Sequence, residues 1–73
     1  MKYPCYVVEL KHSVHRVDKI VDANYNVIFV WDQVRGWDNW LGRPVNLKRP
    51  AEKGLWNVIK TMNSKSDLFT ELL

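Results

Sequence analysis

The sequence predicts an α+β domain: a small antiparallel sheet of about three strands, followed by C-terminal helices packed on one of its faces. Three observations carry that expectation. Segments dense in β-branched and aromatic residues fill the N-terminal part of the chain up to Trp31. A cluster of turn-forming residues, Asp22-Ala23-Asn24-Tyr25-Asn26, interrupts them. Beyond Asp32, apolar residues fall at helical spacing behind helix-starting residues. Strands first and helices after them is the pattern of a sheet covered on one side.

Residues 3–10 (YPCYVVEL) are apolar on both alternating faces, which predicts a strand in the interior of the sheet. The next segment, 13–22, carries two periodicities. Val14, Val17, Ile20 and Val21 recur at helical spacing behind Ser13, while His15, Val17, Lys19 and Val21 also alternate as one face of a strand. The turn chemistry at 22–26 and the strong β-former 27–31 (VIFVW) favour a hairpin. Further on, Val34, Trp37, Trp40 and Leu41 sit at helical spacing with Gly42 as a stop. They predict a short helix, or an ordered loop, because Gly36 costs a helix about 1 kcal/mol relative to Ala. Residues 42–50 form a Pro-stiffened connection. Pro50 as a first helical residue and a stripe of Leu55, Ile59 and Met62 then predict a helix over 50–62. Ser64 and Asp67 make a capping-box-like start to a last short helix, in which Leu68, Phe69 and Leu72 are expected to close the core.

At 73 residues the chain makes one domain, 1–73, near the lower limit for a core without staples. An apolar fraction of 47% and a charged fraction of 26% are those of a globular protein, not a disordered tail. Cys5 is the only cysteine, which fits a reducing, cytoplasmic setting, and inside an apolar strand it reads as a small buried hydrophobe. The N-terminal apolar run is broken by Glu9 and Lys11, too soon for a signal segment, and no stretch approaches the roughly 20 apolar residues of a membrane span. A net charge of +3 favours acidic protein surfaces or nucleic acid as partners.

Chemistry is thinly represented. Cys5, His12 and His15 are the soft ligands and the nucleophile-and-base types, and they form neither a four-ligand zinc pattern nor a set with a third orienting group. A non-catalytic protein without cofactor or metal is expected. The stretch 31–43 (WDQVRGWDNWLGR) holds three Trp and two Arg, the residue types that dominate protein-binding hot spots. Arg35, Arg43, Lys48, Arg49 and Lys53 add a basic cluster around the connection, suited to an acidic protein surface or to phosphates. From these, Arg35, Trp37, Trp40, Arg43, Lys48 and Arg49 are the expected partner-binding residues.

In its 73-residue length, lone cysteine and Trp-rich middle the chain resembles the small phage-encoded regulators of bacterial RNA polymerase. A monomer is expected, acting in the cytoplasm, which is the host's if the chain is phage-encoded. The resemblance implies binding near the β′ N-terminal region and RNA exit channel, inhibition of host initiation by disfavouring the sigma-bound enzyme, and antitermination during elongation. It transfers no individual residue. A basic nucleic-acid-binding module and an inhibitor of another host enzyme are the alternatives.

Overall fold

The computed structural model describes residues 2–10, 18–42, 46–47 and 56–73. Five strands and one helix lie within them: β1 (Cys5–Leu10), β2 (Asp18–Val21), β3 (Val27–Asp32), β4 (Gly36–Asn39), β5 (Trp56–Met62) and α1 (Lys65–Leu72). The strands form one antiparallel sheet in the order β4-β3-β2-β1-β5. The expectation of about three strands followed by helices is therefore wrong: the described fold is mostly β, and a single short helix covers one face.

Two segments expected as helix are strands. Residues 36–39 pair with β3, placing Trp37 opposite Trp31. Residues 56–62, the greater part of the helix expected over 50–62, pair with β1, from Cys5 opposite Met62 to Leu10 opposite Trp56. The reason is tertiary. β1 is apolar on both faces, so its second edge needs a strand partner, and Trp56, Val58, Ile59 and Thr61 all suit a pleated surface. Residues 50–55 lie outside the described ones. β1 is an interior strand as expected, although β2 holds the middle position.

The alternation of β1 creates two cores. Cys5 and Val7 face α1 and pack with Ile20, Met62 and Leu68, backed by Phe29, Trp37 and Leu72. Val8 faces the other way and packs with Val21, Val27 and Leu47, backed by Tyr6, Val30 and Trp56. Cys5 is fully buried, and burial, followed by the nearby Asp22 carboxylate, pushes its thiol pKa up. Two bulges bend the sheet. Ile28 is the extra residue where β3 meets β2, and Ile59 is the extra residue where β5 meets β1.

The turn at 22–26 forms as expected. The Asp22 side chain accepts from the backbone N–H groups of Asn24 (2.8 Å) and Asn26 (3.0 Å). Tyr25 sits at φ 63°, a left-handed conformation costly for a side chain of this size, and its ring stacks on Tyr6 at 5.3 Å. Asn46 and Leu47 seat on this turn through Asn46 Nδ2 to the Asn24 carbonyl and Leu47 N–H to the Tyr25 carbonyl.

α1 begins as the sequence predicts. The Ser64 hydroxyl accepts from the Asp67 N–H at 3.2 Å, and the Asp67 carboxylate accepts from the N–H of Asn63, one residue before the cap. Leu68 is buried and Leu72 half-buried, but Phe69 is 55% exposed, so it does not close the core. A 2.8 Å ion pair from Lys60 to Glu71 ties β5 to the helix. No helix among the described residues is long and apolar enough to cross a membrane.

Candidate functional site

The sheet ends in the β3–β4 hairpin, and its loop is built by one carboxylate. Asp32 accepts from the N–H groups of Val34 (2.8 Å) and Arg35 (2.9 Å), and Gly36 closes the loop at φ 82°, where a Cβ would be strained. Those two N–H groups, Arg35's first, hold the Asp32 carboxyl below the usual carboxylate range, and the Arg35 guanidinium adds to the effect. The same guanidinium reaches Asp38 at 2.9 Å and Asp32 at 3.9 Å.

Arg35, Trp37 and Trp40, three of the residues expected from sequence, are brought together on this hairpin. They do different work. Trp37 is half-buried, backs the core beneath α1, and meets Trp31 edge to face at 5.1 Å. That makes it a structural residue with a partly exposed edge. Trp40 follows β4 and is 38% exposed, and its N–H bonds the Ile28 carbonyl. Its indole lies so close over Gly42 that a Cβ there would sit 2.5 Å from Cζ2, so this ring position needs glycine at 42. Val34 at the loop and Leu41 beyond Trp40 are each 92% exposed. Arg43, Lys48 and Arg49, with Lys53, fall outside the described residues.

Arg35 was expected to belong to a basic cluster whose other members, Arg43, Lys48, Arg49 and Lys53, lie outside the described residues; among the described ones its guanidinium faces two carboxylates, Asp32 and Asp38. Neither aspartate was among the expected binding residues. Their spacing, three before and three after Arg35, was the available signal. Six of the eleven basic residues, Lys11, Arg16, Arg43, Lys48, Arg49 and Lys53, lie outside the described ones.

A groove of about 510 Å³ opens on one face of the hairpin, bounded by Val30, Asp32, Asp38, Trp40 and Leu41. A smaller one of about 280 Å³ lies on the helix side, bounded by Trp37, Glu71, Leu72 and Leu73, and Trp31 and Arg35 border both. On the central strand β2, opposite the groove residue Val30, Lys19 reaches the other way, its Nζ lying 5.0 Å over the Trp56 ring, and burial lowers its pKa. No group of three His, Cys, Asp or Glu that could hold a metal exists among the described residues; His12 and His15 lie outside them. The hairpin therefore offers rigid aromatic area and paired charges, the equipment of a binding surface.

Comparison of the chain with protein-family models, with curated proteins and with solved structures gave no match.

Proposed function

We propose that the chain is a non-catalytic regulator that docks on bacterial RNA polymerase through its β3–β4 hairpin. It acts in a phage-infected host, inhibiting transcription initiation and promoting antitermination. The observation that carries this reading is that Arg35, Trp40 and Leu41 line one groove of the hairpin at the edge of the described sheet. Exposed Trp and Arg are enriched among the anchors of protein interfaces. The contact region on the polymerase, the β′ N-terminal region near the RNA exit channel, follows from the resemblance in length and composition. The pairing of Arg35 with Asp32 and Asp38 disfavours phosphate as the ligand of this surface, since two carboxylates would have to be displaced or repelled.

A pull-down from bacterial lysate tests it, with nuclease treatment in one arm and Trp40→Ala in another. Core polymerase recovered equally with and without nuclease, and reduced about tenfold or more by Trp40→Ala, is the expected result. Recovery of nucleic acid with proteins that vanish after nuclease overturns it in favour of a nucleic-acid-binding module. Capture of a different enzyme without polymerase overturns the choice of partner.

A further inference from the structure

The pairing along the outer side of β3 does not stop at β4; it resumes four residues late. Phe29 pairs with Asn39, and Trp40 N–H bonds the Ile28 carbonyl. A straight continuation would set Gly42 opposite Asn26. Asn46 stands there instead, as an isolated antiparallel bridge. Four extra residues are therefore admitted on this side of β3 between Trp40 and Asn46. The described ones at the start of the insertion are Leu41, which is almost wholly exposed, and Gly42, which lies beneath the Trp40 indole. Extra residues in a strand at a sheet margin re-aim side chains. Here they take Leu41 and Gly42 out of the ladder, where the two line the groove together with Trp40.

The return at 46 is secured by a side chain. Asn46 Nδ2 donates to the Asn24 carbonyl at 2.6 Å and to Asn26 Oδ1 at 3.3 Å. The next residue follows suit: Leu47 N–H donates to the Tyr25 carbonyl at 3.0 Å, and its side chain is buried with Val8, Val21 and Val27. One turn thus supplies three acceptors to two consecutive residues. The turn contains Tyr25 at φ 63°, and backbone strain of this kind persists only where the surroundings over-determine it, most often at functional positions. A backbone bridge alone would accept any residue at 46, whereas the two bonds from Nδ2 need a side-chain donor of this length. Resting on the reading of the hairpin groove as the docking surface, we propose that Asn46 is a positioning residue for that groove. By closing the insertion onto the 22–26 turn, it holds the point to which the chain returns after Gly42. That keeps Trp40 and Leu41 out of the straight register, in which Gly42 would move opposite Asn26 and leave its place beneath the indole. A segment held at both ends samples fewer arrangements than one held at a single end, so a larger fraction of the molecules stands ready to dock.

The test uses the full chain. Asn46→Asp keeps the size of the side chain but turns an acceptor toward the Asn24 carbonyl and Asn26 Oδ1, and Asn46→Ala removes the donor without adding charge. Ser64→Ala, which deletes the cap of α1 at comparable cost in stability, is the control for general loosening. Hydrogen exchange of the Leu47 amide reports whether the tie is broken. The Trp40 indole N–H resonance, assigned with Trp40→Phe, reports the ring. Both Asn46 variants are expected to speed Leu47 exchange and to shift the Trp40 resonance. They should weaken titrated capture of core polymerase by about threefold to tenfold, the size of one lost hydrogen bond expressed as a population, while lowering the melting temperature by no more than about 8 °C. Ser64→Ala is expected to leave resonance and capture unchanged. A Trp40 resonance that stays put while Leu47 exchanges faster overturns the proposal. So does an equal shift in Ser64→Ala, which would assign the effect to general loosening. A shifted resonance with polymerase captured equally by wild type and both Asn46 variants refutes the positioning role and leaves the proposed function standing. Absence of polymerase with every protein refutes that function, and the resonance then decides on its own whether Asn46 positions Trp40.

Discussion

Replacing Leu68 by Ala, and its neighbour Phe69 by Ala in a parallel variant, measures how much of this small domain depends on the seat of α1 on the sheet. Leu68 is 2% exposed and packs with Cys5, Val7, Ile20 and Met62, each essentially inaccessible to water. Truncating a buried Leu costs about 2–5 kcal/mol, combining lost transfer energy with the cavity left behind. A domain of this length has only about 3–5 kcal/mol of net stability to lose. Leu68→Ala should therefore lower the melting temperature by at least about 8 °C, and at the upper end leave the chain largely unfolded at 25 °C. Phe69 points outward, with Lys65 Nζ 5.4 Å above its ring, so Phe69→Ala should cost no more than about 1 kcal/mol despite removing the larger side chain. Thermal unfolding followed by far-UV circular dichroism, with urea titration read by tryptophan emission, separates the two. Equal losses, or a larger loss from Phe69→Ala, would mean that the helix packs on another face, and the two-core description would fall.

Three further outcomes are expected. The Asp32 carboxyl has a folded pKa below its unfolded value, so its support of the loop is present above the unfolded pKa and is lost as pH falls through the folded one; the Val34 and Arg35 amides should begin to exchange faster in that acid window, and a loop indifferent to acid would refute the role given to Asp32. Gly36→Ala should cost about 1–2 kcal/mol in urea unfolding through backbone strain alone, since the nearest Trp31 ring atoms lie 3.9 Å from the added carbon; an unchanged midpoint would contradict the left-handed turn. Gly42→Ala should displace the Trp40 ring, shifting its indole N–H resonance and lowering polymerase capture with little change in melting temperature, and an unmoved resonance would show that the ring does not rest on that glycine.

Part of this architecture is legible in the residue order, for reasons tied to range. The turn at 22–26 and the start of α1 are decided by bonds within a few residues, Asp22 to Asn24 and Asn26, and Ser64 to Asp67. β1 and β3 are dense enough in Val, Ile and aromatics to be read directly. β4 and β5 are not, because each owes its conformation to a strand already in place. Val34, Trp37, Trp40 and Leu41 match a helical period by coincidence: on the hairpin, Trp37 turns toward the core while Val34 and Leu41 stand in solvent. Asp32 and Gly36 bracketing a three-residue loop were the local signal for a hairpin, and the apolar spacing masked it. On β5 the stripe of Ile59 and Met62 reflects a bulge. The extra residue at Ile59 breaks the two-residue alternation and imitates a longer period. At the candidate site the residue types suggested a binding surface, but the pairing of Arg35 with Asp32 and Asp38 depended on a hairpin that the apolar spacing had masked.

The bulge at Ile59 bears on how this molecule can assemble. A sheet with two equivalent open margins is a monomer of a polymer, because each copy can receive a neighbour on one side and offer itself on the other. Here the margins are unlike. β5 is kinked at its middle, and its exposed Val58 and Ile59 fall out of step with any straight strand laid beside them. β4 is short, regular in its pairing with β3, and flanked by grooves. Unlike margins do not repeat, so the Ile59 bulge works against copies of this sheet stacking edge to edge.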